Sequence, residues 1–193
     1  MVFFSIFRQR KRRIRCVQLA RQGRYSEMKA VLLKDYDVDT EQQWLHSAAK
    51  EETPLHTILR YQPSADVVRV LISKLIIATS NDVPEEVEDA NGKTALHIAA
   101  ANGCDVSVVR LLLCGVSDIM PVFSRDAEGQ LPLHAACDPV TRNRNQRQVD
   151  NMANVVFVLL LANPMASVIR DCRGEHPWTW HEKIKQIVES LTL

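Results

Sequence analysis

The chain has 193 residues, of which 46% are apolar and 24% are charged, and its formal net charge at neutral pH is +1. This is the composition of an ordinary single domain, and no segment approaches the roughly 18 consecutive apolar residues that a membrane-spanning helix needs. The five cysteines (Cys16, Cys104, Cys114, Cys137, Cys172) show no paired spacing, so the sequence predicts reduced thiols in an intracellular protein and not a disulfide framework.

The N-terminal residues combine an apolar segment with a basic one. Residues 3–7 read Phe-Phe-Ser-Ile-Phe, and Arg or Lys occupies six of the eight positions 8–15. A secretory signal peptide has the opposite order, with its charge before a longer apolar core. The basic residues could be a nuclear-localisation signal, or could contact nucleic acid or, together with the apolar residues, an anionic membrane. A solvated tail that leads into the first helix is the favoured interpretation.

Short helices are predicted next. Residues 15–21 and 26–33 each have the pattern of one helix, with a break at Gly23, and together they would form an N-terminal cap. Thr40 as an N-cap and Gln43 as its capping-box partner predict a further short helix.

A short motif then recurs along the chain. The segments Thr53-Pro54-Leu55-His56, Thr94-Ala95-Leu96-His97 and Leu131-Pro132-Leu133-His134 share one pattern. An Asp-x-x-Gly turn precedes the last two, and the same turn at 171–174 precedes His176-Pro177-Trp178. A turn and a helix start that recur every few tens of residues are typical of a stacked-repeat solenoid. Such arrays bind through extended surfaces and not around one pocket.

Each part of the motif has a physical role. Thr53 and Thr94 can cap a helix by offering their hydroxyls to unpaired backbone N–H groups. A proline has no backbone N–H. At the first helical position this costs nothing, because an N–H there would have no partner within the helix. Glycine suits a hairpin position that needs a positive φ, and such glycines are Gly92, Gly129 and Gly174.

An apolar second helix is predicted after each motif, at residues 67–72, 108–113 and 155–161, and the run from Val155 to Ala162 is expected to be buried. With the turn and the helix start, this resembles the ankyrin repeat, whose unit is a hairpin finger followed by two antiparallel helices. The resemblance implies an all-α ankyrin-repeat solenoid with hairpin fingers and helical end caps. It also implies that the motif histidines bond to the capping hydroxyl and to a neighbouring repeat, and so serve the fold and not a metal; these are His56, His97 and His134.

The motif spacing sets the expected units. Equivalent positions lie 41, 37 and 45 residues apart, against about 33 in the family, so each unit carries an insertion. One insertion is acidic (81–89, ahead of the second repeat), and another is basic and polar (138–150, between the helices of the third). Residues 44–49 also resemble the motif, which leaves the register of the first repeat open. We expect a tail at 1–12 and one domain at 13–193, with an N-terminal cap at 13–51, repeats at about 52–87, 88–125 and 126–170, and a C-terminal cap at 171–193.

The resemblance implies a protein-binding function without catalysis, as an adaptor or scaffold, and we expect the chain to be a monomer. The sequence has no glycine-rich phosphate loop, no nucleophile-elbow motif and no paired C-x-x-C, so we expect no enzyme, cofactor or metal. In the family, partners contact the finger tips and the exposed side of the first helices. The matching finger positions are Ala90, Asn91, Lys93, Glu128, Gln130, Arg173 and Glu175, and those of the first helices are Arg60, Tyr61, Ala101, Asn102 and Asp138.

Two other functions stay open. The basic N-terminal residues and the loop 142–147, which carries Arg142, Arg144 and Arg147, could recruit the chain to nucleic acid or to an anionic membrane. The loop lacks the aromatic residues on which single-strand binders stack bases, and this favours a solvated loop. A regulatory thiol at Cys104 or Cys137 would need an exposed side chain with a lowered pKa. The sequence does not distinguish cytoplasm from nucleus.

Overall fold

The computed structural model describes residues 14–33, 54–78, 88–115, 121–138 and 146–180. The basic N-terminal tail, the helix expected after Thr40, the capping residue Thr53, large parts of both insertions and residues 181–193 lie outside the described residues.

All regular secondary structure in the described residues is helical. The α-helices are α1 (14–21), α2 (Tyr25–Leu33), α3 (Pro54–Leu59), α4 (Ala65–Ala78), α5 (Ala95–Ala101), α6 (Val106–Gly115), α7 (Pro132–Cys137) and α8 (Gln146–Ala162). Short 3₁₀ helices span Pro121–Phe123, Pro164–Val168 and Pro177–Trp180.

Local chemistry explains where the helices begin and end. Thr94 is extended (φ −80°, ψ 167°), and its hydroxyl accepts the His97 N–H, so α5 begins directly after it. Pro132 occupies the first turn of α7, where a missing N–H costs nothing. At the break between α1 and α2, Gly23 has a φ of 69°. Its N–H donates to the Ala20 carbonyl, which ends α1 where the sequence predicts.

The helices stack in two layers. The first helices of the repeats, α3, α5 and α7, pack side by side, and the second helices, α4, α6 and α8, form the other layer. α2 packs against α4 and so extends the second layer towards the N-terminus. This is a solenoid of helical pairs, and the predicted all-α fold is confirmed.

The core lies between and within these layers. Leu55, Leu96 and Leu133 are buried at equivalent positions of the first helices. Burial of one such side chain contributes about 1.5–3 kcal/mol to folding. Ala99 and Ala100 are fully buried in α5, where their small side chains let α7 approach closely.

The second helix of the third repeat differs from the sequence prediction in two ways. α8 begins at Gln146, so residues 146–150 of the predicted polar insertion are helical. No proline or glycine interrupts this stretch, and Met152 is buried in helical register with Val155 and Val156. The expectation that the apolar run is buried is wrong for Phe157 and Leu161, which are 43% and 61% exposed, and for Ala162, which is also exposed. Only one face of α8 packs on α6 and α7.

Candidate protein-binding surface

Three loops of one geometry precede the first helices of the second and third repeats and the last unit. We call residues 89–93, 126–130 and 171–175 fingers 1, 2 and 3. In each finger, the Oδ1 atom of the aspartate accepts the backbone N–H groups two and four residues later, over 2.8 to 3.0 Å. The glycine has a positive φ of 69°, 72° and 79° in turn, at Gly92, Gly129 and Gly174. Each finger is therefore a closed loop that leaves its tip side chains free of the turn.

The fingers are joined to one another by backbone hydrogen bonds. The Ala127 N–H donates to the Asn91 carbonyl over 2.9 Å, and the Cys172 N–H donates to the Glu128 carbonyl over 3.0 Å. Arg125, directly before finger 2, adds a third link, because its guanidinium donates to the carbonyl of Gly129 in finger 2 and to that of Arg170, directly before finger 3. The three fingers thus form one continuous row, which we call the finger row.

The motif histidines connect each first helix to the next finger. The Nδ1 atom of His97 lies 2.8 Å from the Thr94 hydroxyl and accepts the Thr94 N–H, so the proton of the neutral ring is on Nε2. Nε2 donates to the Gln130 carbonyl over 3.0 Å, and His56 makes the equivalent contact with the Lys93 carbonyl. Burial lowers the pKa of His97 below 6.5, although the Gln130 carbonyl and Asp126 oppose this shift.

The third histidine is less completely bonded. Leu131 stands where the motif has a capping threonine, and its N–H donates to Nδ1 of His134 over 3.1 Å. The Nε2 atom of His134 is buried and has no hydrogen-bond partner among the described residues. Burial lowers the pKa of His134, and the Glu175 backbone, although it does not complete a bond, opposes this shift. The bond from the motif histidine to the next unit is therefore present at His56 and His97 and incomplete at His134.

None of the twelve partner-binding candidates is buried, but they do not form one cluster. Seven lie on the finger row, and five lie at the C-terminal ends of the first helices or in the turns that follow. The length of a first helix, about 10 Å for seven residues, therefore separates the two groups. The exposed candidates are Arg60, Ala90, Asn91, Glu128 and Arg173. The half-buried ones are Tyr61, Lys93, Ala101, Asn102, Gln130, Asp138 and Glu175.

Several half-buried candidates also stabilise the fold. The Tyr61 hydroxyl accepts a hydrogen bond from the Nε–H of Arg21 over 2.8 Å, and the Tyr61 carbonyl accepts one from the Tyr25 hydroxyl. The Asn102 side chain donates to the Ile98 carbonyl at the end of α5. The Lys93 ammonium lies 3.8 Å from Oδ2 of the buried Asp126, for which it supplies an opposite charge. Their substitution would alter stability as well as binding.

Sequence reasoning missed a groove at the turns between the helices. It has a volume of about 350 Å³, and its polar and apolar lining residues are Tyr25, Gln62, Pro63, Ser64, Ala65, Asp105, Ser107 and Asn151. Gln62 has a positive φ of 54°, which is uncommon for a residue other than glycine. Its side chain donates to the Asn102 carbonyl over 3.0 Å and so links the turns of the first two repeats. The sequence did contain a signal for this conformation: Gln62 occupies the position, in the turn after a first helix, at which the next repeat has Gly103.

The regulatory-thiol hypothesis is wrong. Cys104 and Cys137 are both buried, and burial raises the pKa of Cys104 to about 12. Its Sγ atom lies 3.4 Å from the Leu59 carbonyl, to which the thiol donates. A reactive cysteine needs the opposite environment, with solvent access and a lowered pKa.

Neither a metal site nor a membrane-spanning helix is found among the described residues. Within those residues, no group of three or more His, Cys, Asp or Glu side chains could hold a metal ion. None of the helices described there combines the length and the apolarity that crossing a bilayer requires.

Comparison with known proteins agrees with the geometry. A family profile described as ankyrin repeats in three copies matches residues 16–120 and 74–145, which together cover more than half of the chain. Rabankyrin-5 from Mus musculus is 32% identical over 101 residues, which are 52% of this chain and 7% of that protein. Finger 3 lies beyond the residues that the profile matches and repeats the hydrogen bonds of fingers 1 and 2. The chain therefore belongs to the ankyrin repeat family.

Proposed function

We propose that the chain is a non-catalytic scaffold that binds another protein through the finger row. Ankyrin repeats generally mediate protein–protein interaction. The observation that carries the proposal is the hydrogen bonding between fingers, which fixes the spacing of three tips before any partner arrives. A surface ordered in advance loses little conformational entropy on binding.

The tips define the chemistry of the contact. Asn91, Glu128 and Arg173 occupy one position in three consecutive fingers, and all three residues are exposed. From finger 1 to finger 3, these side chains present a neutral amide, then a carboxylate, then a guanidinium to the solvent. A partner that fits them carries a basic group next to an acidic one, and this order of charges sets the direction in which it binds. Arg60, exposed at the turn after α3, is a second contact for a partner that extends across the first helices.

The test compares two variants of the full chain. The tip variant carries Asn91→Ala, Glu128→Ala and Arg173→Ala, which leave the backbone bonds of the fingers intact. The control carries Arg69→Ala and Arg110→Ala, exposed positions on the second-helix layer. Proteins captured from a native extract are identified by mass spectrometry, and the binding of each purified candidate is then measured by calorimetry.

The expected result is a protein that binds the native chain and the control but binds the tip variant at least about tenfold more weakly. A partner that all three chains bind equally would exclude the finger row as the site. Circular dichroism of the variants separates lost binding from lost folding.

The electrostatic recruiter remains the competing proposal, and its support is the high density of Arg and Lys in residues 8–15 together with the three arginines of the loop 142–147. Binding to nucleic acid or to anionic vesicles would fall steeply with salt, because phosphate contacts release counterions. It would also be weakened by deletion of residues 1–13 and be unaffected by the tip substitutions. An intracellular location stays a prediction that rests on five free cysteines.

A further inference from the structure

Two arginines occupy equivalent positions beside the finger row and make the same hydrogen bond. Arg125 lies directly before finger 2, and Arg170 lies directly before finger 3. We call the residue directly before a finger its neck, and Arg125 and Arg170 the neck arginines. The Nη1 group of Arg125 donates to the Gly129 carbonyl over 3.2 Å, and that of Arg170 donates to the Gly174 carbonyl over 2.7 Å. Each guanidinium is therefore held against the base of its own finger.

The neck arginines are also neighbours in space. The Nη1 group of Arg125 lies 3.3 Å from the Arg170 carbonyl, to which it donates. A Cβ atom at Gly129 would lie 3.7 Å from this Nη1 group and 2.7 Å from Sγ of Cys172, so the guanidinium of Arg125 borders finger 3 as well as finger 2. Hydrogen bonds thus connect finger 2, the two arginines and finger 3 without a gap.

The neck arginines have no carboxylate partner in the part of the chain that the structure describes. Their hydrogen bonds go to backbone carbonyls alone. Both side chains are exposed, and so is Arg173 at the tip of finger 3. Neighbouring positive charges repel each other unless an anion approaches them. A guanidinium has five N–H donors, so each neck arginine keeps several for such an anion.

The carboxylates of fingers 2 and 3 offset little of this charge at the surface. Asp126 is buried and lies beside the Lys93 ammonium. Asp171 is half-buried, and its Oδ1 atom accepts two backbone N–H groups of its own finger. Glu175 is half-buried, and Glu128 is exposed. Three exposed arginines therefore face one exposed glutamate on these two fingers and their necks.

The charge changes sign along the row. Exposed Glu88 is the neck of finger 1, where the next two fingers have arginine. The whole chain has a net charge of only +1, so the positive charge at fingers 2 and 3 is a local feature. A complementary partner segment would be most acidic at the end that meets finger 3.

We infer that the neck arginines bind carboxylates of an acidic segment of the partner protein, an inference that rests on the proposed function of the finger row. A guanidinium presents paired N–H groups that match the two oxygens of a carboxylate. Because its own finger already holds each neck arginine, little side-chain freedom is lost when the carboxylate binds. Arg173 adds a third positive charge on the finger that Arg170 precedes.

Nucleic acid is the less suitable anion for this surface. None of the three fingers carries an aromatic side chain, so a base would find no ring on which to stack. Glu128, exposed at the tip of finger 2, would also repel a continuous phosphate backbone. A protein segment can instead place a basic or neutral residue opposite Glu128.

Site-resolved NMR of the full chain tests the inference. The probe is a capped peptide in which glutamate alternates with serine, and the matched control peptide has glutamine in place of glutamate. The Nε–H signal of each arginine reports contacts of that side chain, so binding of the peptide to the basic N-terminal residues is recorded separately. Arg69 and Arg110, exposed on the second-helix layer, are the internal controls.

We expect the glutamate peptide to shift the signals of the neck arginines and of Arg173 saturably, and to leave those of Arg69 and Arg110 in place. The glutamine peptide should shift none of them. The neck variant, Arg125→Gln with Arg170→Gln, keeps an N–H donor for each glycine carbonyl but lacks the charge. It should weaken peptide binding, read from the Arg173 signal, at least about tenfold. Circular dichroism checks its fold, and the titration of the native chain does not depend on it.

Neck-arginine signals that move no more than those of Arg69 and Arg110 would overturn the inference. An oligothymidylate that shifts the neck arginines at a lower concentration than the peptide would also overturn it and would identify phosphate as the ligand. Capture from the native extract separates this inference from the proposed function. A protein that the tip variant loses but the neck variant binds like the native chain would keep the finger row as the site and overturn the role of the neck arginines. A protein that binds both variants like the native chain would count against the finger row itself.

Discussion

The Nε2 atom of His97 lies 3.0 Å from the carbonyl oxygen of Gln130, 33 residues further along the chain. The other ring nitrogen binds Thr94 at the start of the same helix. One buried imidazole thus holds the N-terminus of α5 and the base of finger 2 together. Local helix capping and the stacking of repeats depend on the same side chain.

Replacement of His97 by alanine should therefore destabilise the fold strongly. The variant removes a fully buried ring, leaves the Thr94 N–H without its partner and removes one of the two hydrogen bonds that the Gln130 carbonyl accepts, the other coming from the Asp126 N–H. We expect a loss of about 2–4 kcal/mol in the free energy of unfolding, measured by urea denaturation. Asn91→Ala, at an exposed finger tip, is the control and should change stability by less than about 0.5 kcal/mol. A loss for His97→Ala as small as that of the control would contradict the structural role.

Stability should also fall in mild acid. Burial lowers the pKa of His97 and of His134 below 6.5, so in the window below pH 6.5 the unfolded chain binds protons that the folded chain does not. The contribution of these residues is complete above pH 6.5 and is lost as the pH falls towards their folded pKa values. Protonation of His97 would also put a hydrogen on Nδ1, which faces the Thr94 N–H.

Urea denaturation at pH 7.5 and at pH 5.5 checks this prediction. The native chain should be less stable at the lower pH, and His97→Ala should show a smaller difference between the two conditions. Equal pH dependence in both chains would show that His97 does not carry the effect.

Features with a local chemical cause were predictable from the sequence. The start of α5 follows from Thr94, and the break after α1 follows from Gly23, because each residue acts within its own turn. The outward orientation of Phe157 was not predictable in the same way. A run of apolar residues indicates a buried helix, and only the packing of α8 on α6 and α7 decides which face stays in solvent. The division of the binding candidates into two groups likewise depends on the length of the first helices.

Two finger glycines with nearly the same backbone should respond differently to alanine. Gly129 has a φ of 72°, and a Cβ atom there would lie 2.7 Å from Sγ and 3.2 Å from the backbone nitrogen of Cys172. Gly174 has a φ of 79°, but a Cβ atom there would meet nothing within 4 Å. Gly174→Ala should cost about 1 kcal/mol, from the backbone alone.

Gly129→Ala should cost about 2–3 kcal/mol, because the contact between fingers 2 and 3 must also open. Urea denaturation of both variants checks the pair, and Cys172→Ala in the Gly129→Ala background should recover part of the difference. Equal losses at the two glycines would mean that the fingers are not packed as closely as the structure shows.

Thiol reactivity should divide the cysteines into two classes. Cys114 and Cys172 are exposed, whereas Cys16, Cys104 and Cys137 are buried, and burial raises the pKa of Cys104 to about 12. A chromogenic disulfide reagent at neutral pH should modify the two exposed cysteines quickly and the three buried ones only as fast as the chain opens, since the thiolate is the reactive form. Replacement of Cys114 and Cys172 by serine should abolish the fast phase. A fast phase that persists in this double variant would show that a buried thiol is accessible in the native state.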